Sequence, residues 1–326
     1  MFPREFLKTV VSKFITMTGI NNFFLNFGNE RLNILTYHAL CLPEDRSFRW
    51  ISPAFVTTEQ FESQMKFIRT RMNPISLSKA VRHLQEKKPF PRKSVVVTFD
   101  DGYANNLFYG EKILKNFKIP VTVFLATNYI DSNKFFHFDM HRCIKDFINS
   151  KRITDVNLID QFNSLPDYKT CSVYHFSKEI QPLWEQCQAM LTDDHKRLLT
   201  PISSLQIREA CSLFSWGAHT SSHAILSHLS EIERAYEINL SVNVIKNITG
   251  NDFIPFSYPN GTINDFSEFD ERVLEDCGAS CSVTTIPGKN SLSVPLYRLK
   301  RIRSISIGHT QEIFEMDISG INKIFQ

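Results

Sequence analysis

Apolar residues recur with two different periods along this chain, and the two kinds of segment alternate from residue 33 onward. Short runs such as NILTY and SVVVTF are almost wholly apolar, which is typical of strands in a parallel sheet that is covered on both faces. Between them, apolar residues repeat every three or four positions, as Phe61, Met65 and Ile68 do. This alternation predicts right-handed strand–helix–strand units and a parallel sheet, either open or closed into a barrel.

The remaining elements follow from the same two patterns. Thr57 with Gln60, and Ser230 with Glu233, form capping boxes that mark the starts of two helices. Gly278 marks the end of a third helix. Further strands are predicted at VTVFLAT, SLFSWGAHT, FIPFSYP and ASCSVTT.

Two stretches depart from the alternation. Residues 131–205 are rich in aromatic and polar residues and contain helical pieces such as HFDMHRCIKDFI. We interpret them as a helical insertion in one domain that covers residues 31–326. Residues 1–30 form a separate amphipathic helical segment, in which Phe6, Val10 and Phe14 share one face. This segment either packs on the domain or makes peripheral contact with a membrane surface.

Composition and charge narrow the function classes. The formal charge is only +3 over 326 residues, which gives no electrostatic case for nucleic-acid binding. The 7 cysteines are scattered and contain no CxxC pair, which favours a reducing compartment. No secretion signal and no run of about 18 apolar residues is found. We therefore expect a cytoplasmic protein of a bacterial-type cell, with the membrane face as an alternative location.

Polar residues follow four of the predicted strands. These groups are Tyr37-His38, Asp100-Asp101, His219 to His223, and Tyr258 to Gly261. Because the carboxyl ends of parallel strands meet at one edge of the sheet, we expect the four groups to form one site.

The candidate chemistry is that of a metal site. Asp100 and Asp101 repel each other, and a cation beside them removes that penalty. His219 and His223 lie four residues apart, so on a helical turn their imidazoles would face the same way. A carboxylate with two imidazoles suits zinc, iron or cobalt and leaves positions open for water.

With these residues in place, the chain resembles a known family. TFDDGY, HTSSH and SYPNG resemble the first three motifs of the polysaccharide deacetylases (carbohydrate esterase family four, the NodB-homology domain). TYHAL, FHFDM and the C-terminal YRLKRIRSIS extend the resemblance over roughly residues 33–307. It implies a distorted parallel (β/α) barrel with outer helices, in a subgroup with an aromatic-x-Tyr-Pro third motif.

The resemblance also implies roles for the motif residues. Asp101, His219 and His223 would bind one divalent metal ion, zinc in the first place, with iron, cobalt or nickel as alternatives. Asp100 would act as the general base that activates water. The backbone N–H of Asn260 would stabilise the oxyanion.

The residues that would bind the sugar and the residue that would act as general acid match the family motifs less closely. The resemblance implies that four residues line the sugar site, namely His38, Tyr103, Tyr258 and Pro259. Many members carry an arginine shortly before the proline of the third motif, where this chain has Phe256 and Ser257. We expect Arg301 to replace that arginine. His309 is the late histidine that we expect to act as general acid, and the resemblance also leaves His38 and Asp139 as residues that could reach the site.

The implied reaction is removal of N-acetyl groups from an amino sugar in a glycan or a lipid-linked oligosaccharide precursor. Three alternatives remain open. The chain could be a deformylase or another amidase on a lipid-linked amino sugar, or a catalytically silent sugar-binding relative. It could also be a structural subunit of a polysaccharide assembly complex.

Overall fold

A computed structural model of the chain describes residue 18 and residues 31–132, 134–303 and 310–320. The segment expected at residues 1–30 lies outside the described residues except for Thr18, and so does His309. The predictions for this segment and for His309 therefore stay predictions.

The strands form a closed parallel barrel. β1 pairs with both β5 and β10, so β1 and β5 to β10 close a seven-stranded ring. β4 extends from β5 outside the ring, and β2 pairs with β3 in a separate small sheet. The strand bounds are β1 Asn33–Tyr37, β2 Ala39–Cys41, β3 Phe55–Thr57, β4 Asn73–Pro74, β5 Ser94–Phe99, β6 Val121–Leu125, β7 Phe214–Ala218, β8 Pro255–Ser257, β9 Cys281–Pro287 and β10 Leu299–Arg303.

Helices surround this barrel and follow the strands in the predicted order. They are α1 Thr58–Arg71, α2 Leu77–Gln85, α3 Asn105–Phe108, α4 Gly110–Phe117, α5 His137–Asn149, α6 Val156–Asn163, α7 Val173–Cys187, α8 Asp193–Leu199, α9 Ser204–Glu209, α10 Glu231–Thr249, α11 Glu268–Asp276 and α12 Gln311–Ser319. Among the described residues, no helix combines the length and apolar character needed to span a bilayer.

Local signals in the sequence set several of these helix boundaries. Both predicted capping boxes form, with Thr57 accepting from the N–H of Gln60 and Ser230 accepting from the N–H of Glu233. Each satisfies backbone donors that a helix start would leave free. Gly278, just beyond α11, has a φ of +77°, which glycine adopts without steric cost.

Strands β1, β5, β6 and β8 are buried along their whole length, as their apolar runs predict, whereas β9 and β10 each include exposed residues. Every residue of β5 is buried, and its side chains alternate between two clusters. Val97 packs with helix α1 outside the ring, whereas Val96 packs with Phe124 and Val283 from other barrel strands. The polar residues that follow the strands are consequently left at the open carboxyl end of the barrel.

The helical insertion has an apolar cluster of its own. Helices α5 to α8 lie between β6 and β7, and their buried residues pack with Ala39, Cys41 and Phe55 of the small sheet. Many of the chain's phenylalanines are in this cluster, including Phe136, Phe147 and Phe176. These phenylalanines pack the insertion against the small sheet.

Gly217 in β7 is a point where two neighbouring strands come too close for a side chain. A Cβ there would lie 2.6 Å from Phe124 Cδ1 and 2.6 Å from the Pro255 carbonyl oxygen. We expect Gly217→Ala to lower the free energy of unfolding by about 1–3 kcal/mol, because the barrel must shift to accommodate it. Gly110→Ala is the control, since its Cβ would meet the flexible ends of Leu40 at 3.1 Å and Leu114 at 3.8 Å. Equal denaturation midpoints for the two variants would contradict the prediction.

Candidate active site

A cavity of about 500 Å³ opens at the carboxyl end of the barrel. All four predicted strand endings contribute residues to it, including His38 after β1, Asp100 and Asp101 after β5, His219 after β7 and Asn260 after β8. The cavity has the size of a pocket that takes one small ligand or a sugar unit.

Asp101, His219 and His223 converge at the floor of this cavity. The Asp101 Oδ1 atom lies 3.6 Å from His219 Nε2 and 3.2 Å from His223 Nε2. One ligand atom from each residue falls within 4.8 Å of the others. Burial by itself raises the pKa of Asp101, but the two facing imidazoles outweigh it and hold that pKa well below its usual value. The carboxylate is therefore ionised.

The donor set fits a metal ion. His219 Nδ1 lies 2.7 Å from the Ser257 carbonyl oxygen, which can only accept, so Nδ1 carries the proton. Its Nε2 faces the Asp101 carboxylate, and this contact is favourable when Nε2 carries a proton or when Nε2 and the carboxylate share a metal ion. Two acceptors that face each other need a cation between them, and one carboxylate with two imidazoles is a set that zinc uses.

The segment from His219 to His223 is a loop and not the helical turn that the four-residue spacing predicted. Thr220 and His223 have φ values of +58° and +61°, in the left-handed region. The reason is that the N–H groups of Ser221 and Ser222 both donate to Glu237 Oε2, at 2.7 and 2.9 Å. A helical turn would direct these donors elsewhere, so the helical prediction was wrong.

Glu237 of α10 anchors this loop. Its carboxylate is 1% exposed, and it also accepts from the Ser222 hydroxyl at 2.7 Å and from the Tyr174 hydroxyl at 2.6 Å. Tyr174 comes from α7, so the same carboxylate joins the insertion to the barrel. Sequence analysis missed Glu237, although an acid next to Ile238 on the apolar face of α10 was an available signal.

Asp100 is paired with Arg301. The guanidinium donates from NH1 to Oδ1 at 2.8 Å and from NH2 to Oδ2 at 2.7 Å, and both residues are buried. Ser257 donates to Asp100 Oδ1 at 3.2 Å. Burial alone raises the pKa of Asp100, but the charge and hydrogen bonds of Arg301 prevail and lower it. Arg301 itself is oriented by a bond from Nε to the Thr284 carbonyl oxygen, at 2.8 Å.

The backbone after β5 separates the two acids. Asp101 has a φ of +71° and Gly102 a φ of +93°, so the chain turns sharply directly after Asp100. A Cβ on Gly102 would lie 2.5 Å from Leu125 Cδ2, which explains the glycine. The turn directs Asp100 to the arginine and Asp101 to the two histidines.

The turn after β8 presents Asn260 to the cavity. Asn260 has a φ of +57°, and its side-chain amide donates to Asp265 Oδ2 at 2.8 Å. Tyr258 does not line the cavity. It is 1% exposed and stacks on Phe266 with ring centroids 4.1 Å apart, so it supports the turn from within the core. Pro259, between Tyr258 and Asn260 in the chain, also does not line the cavity.

His38 and Tyr103 both lie at the cavity wall. Burial lowers the pKa of His38, against the opposing charges of Asp101 and Asp100. Tyr103 is 1% exposed and donates to Asp139 Oδ2 at 2.7 Å. Its hydroxyl is therefore already engaged within the wall.

Comparison with known proteins decides the family. The family model for polysaccharide deacetylases matches residues 87–279, which is more than half of the chain. The chain belongs to the polysaccharide deacetylase family. A relative from Staphylococcus aureus, a poly-beta-1,6-N-acetyl-D-glucosamine N-deacetylase, is 33% identical over 85 residues, which are 26% of this chain and 29% of the relative.

Solved structures agree on the fold. A polysaccharide deacetylase from Bacillus cereus has a TM-score of 0.58 and 19% identity, covering 88% of this chain and 69% of that one. A de-N-acetylase from Aggregatibacter actinomycetemcomitans also has a TM-score of 0.58, with 13% identity, covering 88% of this chain and 99% of that one. At these identities the likeness shows the (β/α) barrel alone.

In this polysaccharide deacetylase, the site reaches beyond the region that the family model matches. His38 follows β1 and Arg301 lies on β10, before and after residues 87–279. Barrel closure brings both of them to the two acids, because β1 lies between β5 and β10.

We expect Glu237→Gln to lower the free energy of unfolding by about 2–3 kcal/mol, because an amide NH2 would face backbone donors that then lose their buried acceptor. Hydrogen exchange of the His219 to His223 loop should accelerate. Glu233→Gln, in the capping box of the same helix, is the matched control and should change stability by less than about 0.5 kcal/mol. Unchanged exchange in Glu237→Gln would exclude the anchoring role.

We expect Arg301→Gln to cost about 3–5 kcal/mol of stability, because it leaves Asp100 buried without its counter-charge. Asp100→Asn combined with Arg301→Gln should cost less than the sum of the two single variants, since the uncompensated charge is then absent. Chemical denaturation of the four proteins measures this coupling. Additive free energies would show that the pair contributes no coupling energy.

Proposed function

We propose that this protein removes N-acetyl groups from an amino sugar within a glycan by metal-assisted hydrolysis. The observation that carries the proposal is the pairing of two adjacent buried carboxylates with different partners, Asp101 with two imidazoles and Asp100 with Arg301. Family membership supports it, and so does the printed activity of the Staphylococcus aureus relative, which matches over part of its length.

Asp101, His219 and His223 would hold a divalent ion, zinc in the first place. Such an ion polarises an amide carbonyl and lowers the pKa of water in its vicinity toward about 7. The Ser257 carbonyl orients the His219 imidazole directly, as outer partners do in metal sites, and Glu237 holds the backbone of the loop that leads to His223.

Asp100 would serve as the general base. Its carboxylate takes the proton as the water oxygen attacks the acetyl carbonyl carbon, and Arg301 keeps it ionised and fixed beforehand. The bond between the carbonyl carbon and the nitrogen then breaks. The nitrogen leaves as an amine after it gains a proton, and acetate is the second product.

The Asn260 N–H would stabilise the oxyanion. In the described part of the chain this N–H makes no hydrogen bond, and Asn260 lines the cavity. Its left-handed φ of +57° fixes the peptide before the substrate arrives, so no reorganisation is needed during the reaction.

His38, whose lowered pKa leaves its imidazole neutral, would relay to the leaving amine the proton that Asp100 takes from water. It lines the same cavity as the ligand triad, and Asp100 and Asp101 lie close enough to oppose the effect of burial on its pKa. His309 stays a second prediction for this role, outside the described residues.

The finer substrate and the location are also proposals. We infer an N-acetylated glycan as substrate, with a lipid-linked precursor as its alternative form. A cytoplasmic location is supported by the 7 cysteines, which are all free in the described structure.

Metal content tests the site. Wild type should retain close to one equivalent of zinc, iron, cobalt or nickel after mild dialysis, and His223→Ala should lose it while keeping its fold. His175→Ala, an exposed histidine of α7, is the control and should bind metal as wild type does. If wild type binds no metal even when supplied with it, the hydrolase proposal loses its mechanism.

Acetate release tests the reaction. On N-acetylglucosamine oligomers, Asp100→Asn should lower kcat by about 10²–10⁴-fold, the contribution expected from a general base. Asp252→Asn, an exposed acid, should leave kcat unchanged. An Asp100→Asn variant as active as wild type would exclude Asp100 as the base.

A further inference from the structure

The helical insertion forms one wall of the cavity, and this wall carries aromatic and basic side chains. Phe138, Arg142, Tyr168 and Lys169 all line it. Tyr168 is half-buried, and the Lys169 Nζ atom lies 6.0 Å from the centre of its ring. An aromatic face beside a cation, at the rim of a site for sugars, is suited to a sugar unit that carries an acidic group.

The charges that line the cavity are unequal. Its cations are Arg142, Lys169, Arg301 and Arg303, whereas its carboxylates are Asp100 and Asp101. Arg301 forms an ion pair with Asp100 and is neutralised by it.

The other three cations are less fully neutralised. Arg142 pairs through Nη2 with Asp139 at 2.7 Å, while its buried Nε has no hydrogen-bond partner among the residues that the structure describes. Lys169 and Arg303 form no ion pair with a carboxylate of residues 31–132, 134–303 or 310–320. The cavity therefore carries an excess of positive charge, and a divalent ion at Asp101 would increase it.

This excess is unfavourable for a substrate made only of neutral amino sugars. Each turnover produces an ammonium group, which the surrounding cations repel, and repulsion is strong where water is partly excluded. Negative groups on neighbouring sugar units would offset this repulsion. They would also be attracted into the cavity before reaction, since a cleft lined by one sign of charge concentrates ligands of the other.

We propose that the cavity binds an acidic glycan, in which the N-acetylated amino sugar is linked to a unit carrying a carboxylate or a phosphate. Lys169 and Arg142 contact that group on the insertion side, and Arg303 contacts the unit on the opposite side. The inference rests on the proposed function for the amino sugar itself. Residues outside the catalytic set, Lys169 and Arg303 among them, would decide whether neutral or acidic neighbouring units are preferred.

Equilibrium binding and kinetics on three sets of oligosaccharides test this inference. The first set is neutral N-acetylglucosamine oligomers, the second alternates N-acetylglucosamine with glucuronic acid, and the third carries phosphate on N-acetylglucosamine units. Tighter binding of the second set identifies a carboxylate as the acidic group, and tighter binding of the third identifies a phosphate. Affinity for the preferred acidic set should fall as salt increases, while affinity for neutral oligomers should not.

Single charge removals locate the effect. Lys169→Gln and Arg303→Gln should each weaken binding of the acidic set by about two- to fivefold, as expected for one partly exposed charge, and raise KM without changing kcat. Lys178→Gln, an exposed lysine of α7 that does not line the cavity, is the matched control and should have no effect.

The two proposals fail in different ways. The acidic-glycan inference would be overturned if the protein deacetylates neutral oligomers and binds acidic ones with the same affinity. It would also be overturned if Lys169→Gln and Arg303→Gln do not weaken binding of the acidic oligomers. Neither result would contradict the proposed hydrolase function. Binding of acidic oligosaccharides that depends on Lys169 and Arg303, without release of acetate, would support the inference while the proposed function fails.

Discussion

Two adjacent carboxylates are buried at the end of one barrel strand, where they repel each other. The other residues of the site offset this repulsion. Neither could remain ionised there without a positive partner of its own. The sharp turn at Asp101 and Gly102 separates them. Asp100 reaches the guanidinium of Arg301, and Asp101 reaches His219 and His223. In the proposed function, a divalent ion at Asp101 would complete the compensation. The two acids thereby have separate partners, which suits the separate roles of base and metal ligand that we propose for them.

The supporting contacts come from elements far apart in the chain. Arg301 is supplied by β10, and Glu237 of α10 holds the histidine loop through Ser221 and Ser222. Tyr174 of the insertion donates to the same carboxylate, so the wall that carries Lys169 is connected to the loop from His219 to His223. The barrel thus positions Asp100 and Asp101. The cavity wall that the insertion forms is positioned relative to them through Glu237.

The convergence of Asp101, His219 and His223 beside Asp100 could be predicted because these residues lie in short local motifs, directly after strands with long apolar runs. The geometry of the histidine loop could not. A spacing of four residues is compatible with a helical turn and with this loop, and the choice depends on the buried carboxylate of Glu237, which lies 14 residues beyond His223. Tyr258 was misplaced for a related reason, because only packing shows that its ring stacks on Phe266.

By itself, the sequence determined the alternation of strands and helices, the capping boxes and the strand-end residues that carry the chemistry. These features depend on hydrogen bonds and apolar periodicity within about one element of the chain. Only the tertiary structure decided that the sheet closes, that Arg301 meets Asp100, and that the insertion lines the cavity with basic side chains. Each of these needs contacts between residues distant in sequence, which depend on how whole elements pack and are not encoded in any local pattern.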